Sequence, residues 1–565
     1  MPDFGFEYIP ELSDFPAEER SPAVVLLLGI CRRQREQLVL QQKRIELLQA
    51  QILEQSELIA NQSEQIALQA EEIARLKDEI ARLKGEKGRP LIKPSALNKG
   101  SEDKDIEGKG RNRGKPRMKK TCTLQIHEEK IIEPAEIPDG SRFKGYEDYT
   151  VQDITICLKN TLFRRSRYQT PDGTYIAGEL PAEVRGSHFG PTLRSFCLSQ
   201  YHQQRVPENL ILRQLTELGV HISAGQLSQM LTEGHEQFHK EKEAVLVAGL
   251  AVSSHVNVDD TGARHKGKNG FATHIGNEQF AYFSSTDSKS RINFLEILSC
   301  GEKIYTVDDV ARDYMRQRKC PNAVIELLSQ DMTFATKALW QAHLNKLGIT
   351  TDRHCLIVTE GALVATLINS GTFSRLVIVS DDAGQFHVFG FLNALCWIHA
   401  ERTINKLIAC GDAHRDALAL VKGQIWDLYQ RLKRYKLAPS PAEKLALNNY
   451  FDEIFTQKTC FISLNLALQR IYENKNRLLM VLERPATPLH NNLSENDIRD
   501  YVTKRKISAT TRSNNGRNAR DTFLSLKKTC RKLEISFWSY LQDRIGQKCE
   551  IPPLSDIIRA NAQAP

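Results

Sequence analysis

Three short stretches place carboxylates where chemistry can use them. Residues 254–264 read SHVNVDDTGAR, in which Val256 and Val258 alternate with polar residues and run into Asp259, Asp260 and a Thr-Gly turn. That pattern predicts a short buried strand ending in carboxylates. Residues 376–385 repeat it: LVIVS is followed by Asp381, Asp382, Ala383, Gly384 and Gln385. Residues 490–499, HNNLSENDIR, set Glu495 in a stretch that Asn492 or Ser494 can cap as a helix. Only folding can gather groups so far apart in the chain. Gathered, they suit hard divalent cations, because Mg²⁺ takes one or two carboxylates and completes its shell with water and phosphate oxygens. Each group also has an ordinary reading, since strand-end aspartates cap turns and helical glutamates face solvent.

The elements that must position these groups can be followed along the chain. Residues 1–32 read as an irregular arm with one apolar patch, AVVLLLG. A coiled coil is expected over 33–84. Leu38, Ile45, Ile52, Ile59, Ile66, Ile73 and Ile80 recur every seventh residue, with Gln41, Leu48, Gln55, Gln62, Gln69, Leu76 and Leu83 as the second seam. At ~1.5 Å per residue such a rod is about 70 Å long, a length that suits joining protomers through residues 38–83. Residues 85–120, with KGRNRGKPRMKK, form a basic linker. Residues 121–190 alternate β-like runs (TLQIHEEKII, TVQDITICLK, TLFRRSRYQT) with PDG turns and predict a small β module.

Residues 191–245 then turn helical. A glycine turn at Gly219, Ser223 as N-cap and a following helix give a helix-turn-helix pattern, with Gln226, Ser228 and Gln229 as candidate groove contacts. Residues 250–400 are mixed α/β around a helical insertion at 300–370. Residues 401–482 are helical, 483–510 carry Glu495, and 511–565 form a basic C-terminal region. The fold class is therefore multidomain α/β.

A formal net charge of +8, concentrated in the linker and the C-terminal part, favours an anionic partner, double-stranded DNA first. Twelve cysteines include no C-x-x-C pair, so a zinc ribbon is not expected. The longest apolar runs, 24–30 and 244–252, are too short to span a bilayer. The opening MPDFGFEYIPEL lacks a signal pattern. The expectation is a cytoplasmic protein without a membrane partner.

Five stretches taken in order then acquire a common meaning: VDDTGAR, TEGAL (359–363), SDDAGQF with ALCWIHAER (380–402), HNNLSENDIR and TKRKISATTRS (503–513). Together they resemble the insertion-sequence 66 family of DDE transposases. The heptads, the linker with KPSAL at 93–97 and the helix-turn-helix fall where that family carries them, so the resemblance covers essentially the whole chain.

It implies an RNase-H-like catalytic core and an acidic triad of Asp259, Asp381 and Glu495, which serve as catalytic and metal-binding residues. The first aspartate of each pair is the one that matches. Asp382 stands where relatives typically have glycine, and Asn496 where arginine is frequent. The zinc-module segment of many relatives is here EIPDGSRFKGYED, without cysteine, so no metal carries over to it.

The implied cofactor is Mg²⁺ or Mn²⁺, two ions per site about 3.5–4 Å apart, activating both sides of a phosphodiester. The implied reaction nicks the element ends and joins each 3′-hydroxyl to target DNA. His399 and Arg402, one helical turn apart, are candidates for phosphate contact or support of the metal site. Arg499, at i+4 from Glu495, can pair with it or with phosphate. Lys504, Arg505 and Lys506, with the basic residues beyond them, are candidate backbone contacts. Accessory proteins of the same element are possible partners. Two other readings stand beside this one: a catalytically silent coiled-coil DNA-binding protein, and a nuclease on the same core without strand transfer.

Overall fold

The structure, a computed structural model, describes residues 125–563 apart from isolated positions, together with parts of 13–43. Met1–Pro94 and Ser95–Pro565 separate as two units. In the first, residues 22–34 are helical rather than an irregular arm. Ser21 starts that helix, its carbonyl and hydroxyl both accepting from the Val24 N–H (3.0 and 3.4 Å), with Pro22 at the first helical position, where its missing donor costs nothing. The heptad positions from Ile45 onward and the basic linker at 85–120 lie outside the described residues.

The second unit begins with chain that forms little of the expected β module. A hairpin of β1 (Arg167–Gln169) and β2 (Tyr175–Ala177) closes over the Pro171-Asp172-Gly173 turn. The described residues of 125–166 pair with no strand. Ile132, Ile154 and Leu162 are 90%, 82% and 77% exposed, so among the described residues the alternation that predicts strands finds no second layer to bury against.

The helices expected next do form. α1 (Pro191–Leu198) opens on proline and continues into a wider turn through Gln203. α2 (Glu208–Glu217) and α3 (Ala224–Thr232) flank Gly219, whose φ of +83° reverses the chain. α4 (Glu236–Val252) then leads into the sheet.

That sheet has five strands in the order β5-β4-β3-β8-β9. β3 (His255–Gly262), β4 (Phe271–Gly276) and β5 (Ala281–Thr286) make an antiparallel meander. The chain then leaves through α5 (Arg291–Leu298), β6 (Tyr305–Val307), α6 (Asp309–Gln317), β7 (Met332–Phe334), α7 (Lys337–Lys346) and α8 (Asp352–Asn369). It returns as β8 (Val377–Ser380) and β9 (Leu392–Leu395), both parallel to β3. Val256, Val258 and Ile378 are buried on one face and Asn257, Val377 and Val379 on the other, as a sheet covered on both faces demands.

From β9 the chain enters a helical block: α9 (Trp397–Asn405), α10 (Asp412–Leu437), α11 (Pro441–Thr456) and α12 (Ile462–Glu473). It has its own core, with Trp397, Val421, Phe451 and Leu464 inside. α13 (Asn492–Ser508) then returns to the sheet.

The C-terminal part is not a basic tail. α14 (Asn514–Lys532), α15 (Phe537–Ile545) and α16 (Leu554–Gln563) join the main core through Phe523, Leu526, Tyr540 and Ile558. α14 covers the edge strand β5. Thr529, Ser525 and Asp521, one helical turn apart, accept from the N–H groups of Ala281, Phe283 and Ser285 at 3.1, 2.8 and 2.7 Å. The helical repeat thus meets every second strand residue, and donors that would stand unpaired at a sheet edge are satisfied.

Candidate active site

β3 and β8 lie side by side and parallel, with Asn257 opposite Val379. Two residues further on, the same register delivers Asp259 and Asp381 to one end of the sheet. Asp259 is still within β3, opposite His274 of β4, while Asp381 is the first residue after β8.

Glu495 reaches this end on the first turn of α13, and the residue that anchors the turn is Asn491, which is fully buried. Its amide donates to the carbonyl of Val258 (2.7 Å) and accepts from Asn257 (2.8 Å), while its backbone N–H meets the Cys396 sulfur (3.2 Å). Ser494 caps nothing; its hydroxyl bonds the Nδ1 of His274 (2.7 Å), whose Nε2 lies 3.2 Å from Asp497. Neither Asn492 nor Ser494 is the cap. The helix is fixed instead by partners on β3 and β4, which local sequence does not reveal.

Gathering these carboxylates leaves an electrostatic mark. Burial pushes the Asp259 carboxyl up to about 7, against the Asp260 N–H that it accepts from (2.7 Å); Asp381, Asp260 and Glu495 push it the same way. Asp260 is also raised by burial, opposed by the Thr273 hydroxyl (2.5 Å) and the Gln385 amide (2.8 Å), with Lys289 at 4.0 Å. Asp382 turns away from the cluster, to Arg470 (2.8 Å) and His387 (3.7 Å).

Glu495 Oε1 is buried without a hydrogen bond, 3.6 Å from Arg402 and 3.9 Å from His399. Those two also touch each other at 3.2 Å, and burial and Arg402 together hold the His399 imidazole below its ordinary value. Among the described residues no three His, Cys, Asp or Glu side chains stand close enough to hold a metal ion as placed. The donor set nonetheless fits a hard cation: crowded carboxylate oxygens, one of them orphaned, with no soft ligand between them.

Of the candidate DNA contacts, His399 and Arg402 sit beside Glu495. Arg499 bonds Asn496 (3.1 Å) rather than Glu495. Gln226 spends its side-chain oxygen on the N–H of Ser223 (3.0 Å) in a capping box, Gln229 reaches Glu233 (3.2 Å), and Ser228 is half-buried. Lys504 is buried: its ammonium donates to the Tyr201 carbonyl (2.7 Å) over the Tyr201 ring, so it does not face a phosphate. Arg505 donates to the Gly262 carbonyl, and Lys506 is exposed. Further along, Arg520, Lys527 and Lys528 are also buried. Lys527 pairs with Asp500 (2.8 Å), and Lys528 and Lys532 pair with Asp497 (3.3 and 2.7 Å).

No helix among the described residues is long and apolar enough to cross a membrane. The chain is 40% identical over 323 residues to the uncharacterized protein y4jO of Sinorhizobium fredii (strain NBRC 101917 / NGR234), a match that covers 56% of this chain and all of that protein. A family model described as Transposase IS66 family matches residues 363–519, the stretch that holds Asp381, the helical block and Glu495. On this likeness, the chain belongs to the IS66 family of transposases.

Proposed function

We propose that this transposase cuts the ends of an insertion sequence and joins the freed 3′-hydroxyls to target DNA with an Asp259–Asp381–Glu495 centre. The observation that carries the reading is convergence. Two adjacent parallel strands bring Asp259, inside β3, and Asp381, just past β8, to one level, and the helix bearing Glu495 is tied through Asn491 to the residue next to Asp259. The strand order, with β4 alone running against the others beside β3, supports an RNase-H-like core. Divalent ions, when bound, supply Lewis-acid activation of the attacking and leaving oxygens.

The chain's own residues do the rest. Asp259, which both Asp381 and Glu495 crowd, would serve both flanks, with Asp381 and Glu495 completing one each. For Glu495 to join them it must exchange Arg402 and His399 for the cluster, which leaves Arg402 free to meet a phosphate. Cys396 and Trp397 hold α9 in place, the Trp397 indole donating to the Leu478 carbonyl (2.9 Å) and its N–H to the Leu489 carbonyl (2.9 Å). DNA is the substrate, and self-association through residues 38–83 would pair two such centres on two element ends.

The test is single substitution. Asp259→Asn, Asp381→Asn and Glu495→Gln each abolish Mg²⁺-dependent cleavage and joining of element ends while DNA binding persists. Normal strand transfer by any of them removes that residue from the centre. Cleaved but never joined products would instead favour a nuclease.

A further inference from the structure

The connection after Asp381 is a short run, Asp382-Ala383-Gly384-Gln385, with Gly384 exposed. It fixes the position of Asp381, which faces a strand that already carries Asp259 and Asp260. Asp259, Asp260 and Asp381 repel one another, so the connection should swing away from β3 unless something holds it.

Two tethers hold it. Gln385 reaches across to β3 and donates to Asp260 Oδ2 at 2.8 Å, while the other oxygen of Asp260 is fixed by Thr273 on β4 (2.5 Å). Arg291, on the first turn of α5, donates to the Gly384 carbonyl at 2.5 Å. Arg291 is in turn locked by Glu360 at 3.1 Å, in the middle of α8. Glu360 is only 2% exposed, and it also accepts from the Tyr314 hydroxyl of α6 at 2.6 Å, with Arg318 at 3.7 Å. A buried carboxylate is costly unless fully partnered, and this one has three partners. It lies in the TEGAL stretch, to which the triad assigns no part.

We propose that Asp260, Gln385, Arg291 and Glu360 are positioning residues, which clamp the Asp381 connection at two points and hold Asp381 at a fixed separation from Asp259. The helical excursion between β5 and β8 thereby gains a mechanical role, because α6 and α8 present a rigid acidic anchor and Arg291 transmits it to the active-site end of the sheet. The second aspartate of VDDTGAR is thus a strut, not a ligand. The inference rests on the reading of Asp259 and Asp381 as a shared cation site.

The test uses the full chain and Mn²⁺ alone as probe, by calorimetric titration, with melting temperature without divalent ion and affinity for element-end DNA measured alongside. Gln385→Ala, on the half-buried connection, and Glu360→Gln, in the core, should each weaken Mn²⁺ binding by roughly tenfold or more, as losses around metal ligands do. For Gln385→Ala, DNA affinity should stay unchanged and melting should fall by no more than a few degrees, the cost of one hydrogen bond to Asp260. The exchange Asp260→Asn with Gln385→Glu rebuilds the cross-strand hydrogen bond with donor and acceptor swapped and should recover most of the loss, which a general loosening of the fold would not do. Unchanged Mn²⁺ affinity in Gln385→Ala, while Asp259→Asn abolishes it, overturns the clamp and leaves the cation site standing. Unchanged affinity and cleavage in Asp259→Asn overturn both.

Discussion

Replacing Asp259 by asparagine should make the metal-free protein more stable. Asparagine keeps the size of the side chain and an oxygen to accept the Asp260 N–H, so what it removes is charge. The carboxyl rises from 3.8 to about 7 on folding, because it is buried and crowded by Asp381, Asp260 and Glu495. A carboxyl whose folded value is raised destabilises the fold wherever the ionised form prevails. The penalty is absent below the unfolded value, grows as pH climbs toward 7, and is complete above it.

At ~1.4 kcal/mol per unit the ceiling is about 4 kcal/mol, and solvent reaching the half-buried site brings the expected gain to about 2 kcal/mol. At pH 8, without divalent ions, Asp259→Asn should melt a few degrees above the parent chain. At pH 5 the advantage should fall to roughly a third. Mg²⁺ should raise the melting temperature of the parent chain and not of the variant, since an ion that binds only the folded site adds stability by mass action. Thermal melting at the two pH values, with and without Mg²⁺, makes the comparison. A structural aspartate behaves in the opposite way, and a variant that melts lower at both pH values would refute a strained carboxylate cluster.

Other outcomes follow from the same contacts. Asn491→Ala removes two buried hydrogen bonds, taking a donor from the Val258 carbonyl and leaving the Asn257 amide only the His490 carbonyl at 3.4 Å; it should cost roughly 2–4 kcal/mol in urea unfolding and also abolish cleavage. Lys506→Ala should weaken DNA binding and flatten the dependence of log K on log salt by about one unit, whereas Lys504→Met should change neither. The Lys504 ammonium is pushed down to about 7 by burial and by Arg520, Lys527 and Arg205. Its penalty is therefore full below pH 7 and fades toward the ordinary lysine value, so Lys504→Met should gain most over the parent chain at low pH, as read by melting across pH 6–10. Light-scattering mass of the full chain against one starting at Lys93 checks the heptads, and equal monomeric masses would refute them.

Contacts close in sequence were legible, and contacts across it were not. Val256 and Val258 ahead of two aspartates announce a strand without any knowledge of β8, although the strand runs on past the aspartates to Gly262, and a Gly219 turn with Ser223 as cap announces two helices. Nothing local announces that Asn491 reaches Val258 or that Glu360 reaches Arg291. Alternation at 125–166 misleads for the converse reason, because alternation predicts a face, and a strand also needs a neighbour to pair with and a layer to cover it.

The basic C-terminal stretch carries the same lesson in charge. Read along the sequence, Lys504, Lys527 and Lys528 look like a surface prepared for phosphate. Folded, α13 brings Asp497 and Asp500 against Lys527, Lys528 and Lys532 of α14, while Arg205 joins Asp500 at 2.8 Å. The Asp497 carboxyl is held well below its ordinary range by His274 and Lys532, although burial works against it. A buried network of this kind adds little net stability over an apolar interface, but a shifted register would strand several charges at once. Asp497 is two residues past Glu495 on the same helix, so the network that uses up these lysines also constrains where Glu495 stands. The charge that looked available for DNA is spent in setting the geometry of the centre. Among the described residues Lys506 is an exposed cation still available to a phosphate, and Arg402 becomes another once Glu495 turns inward.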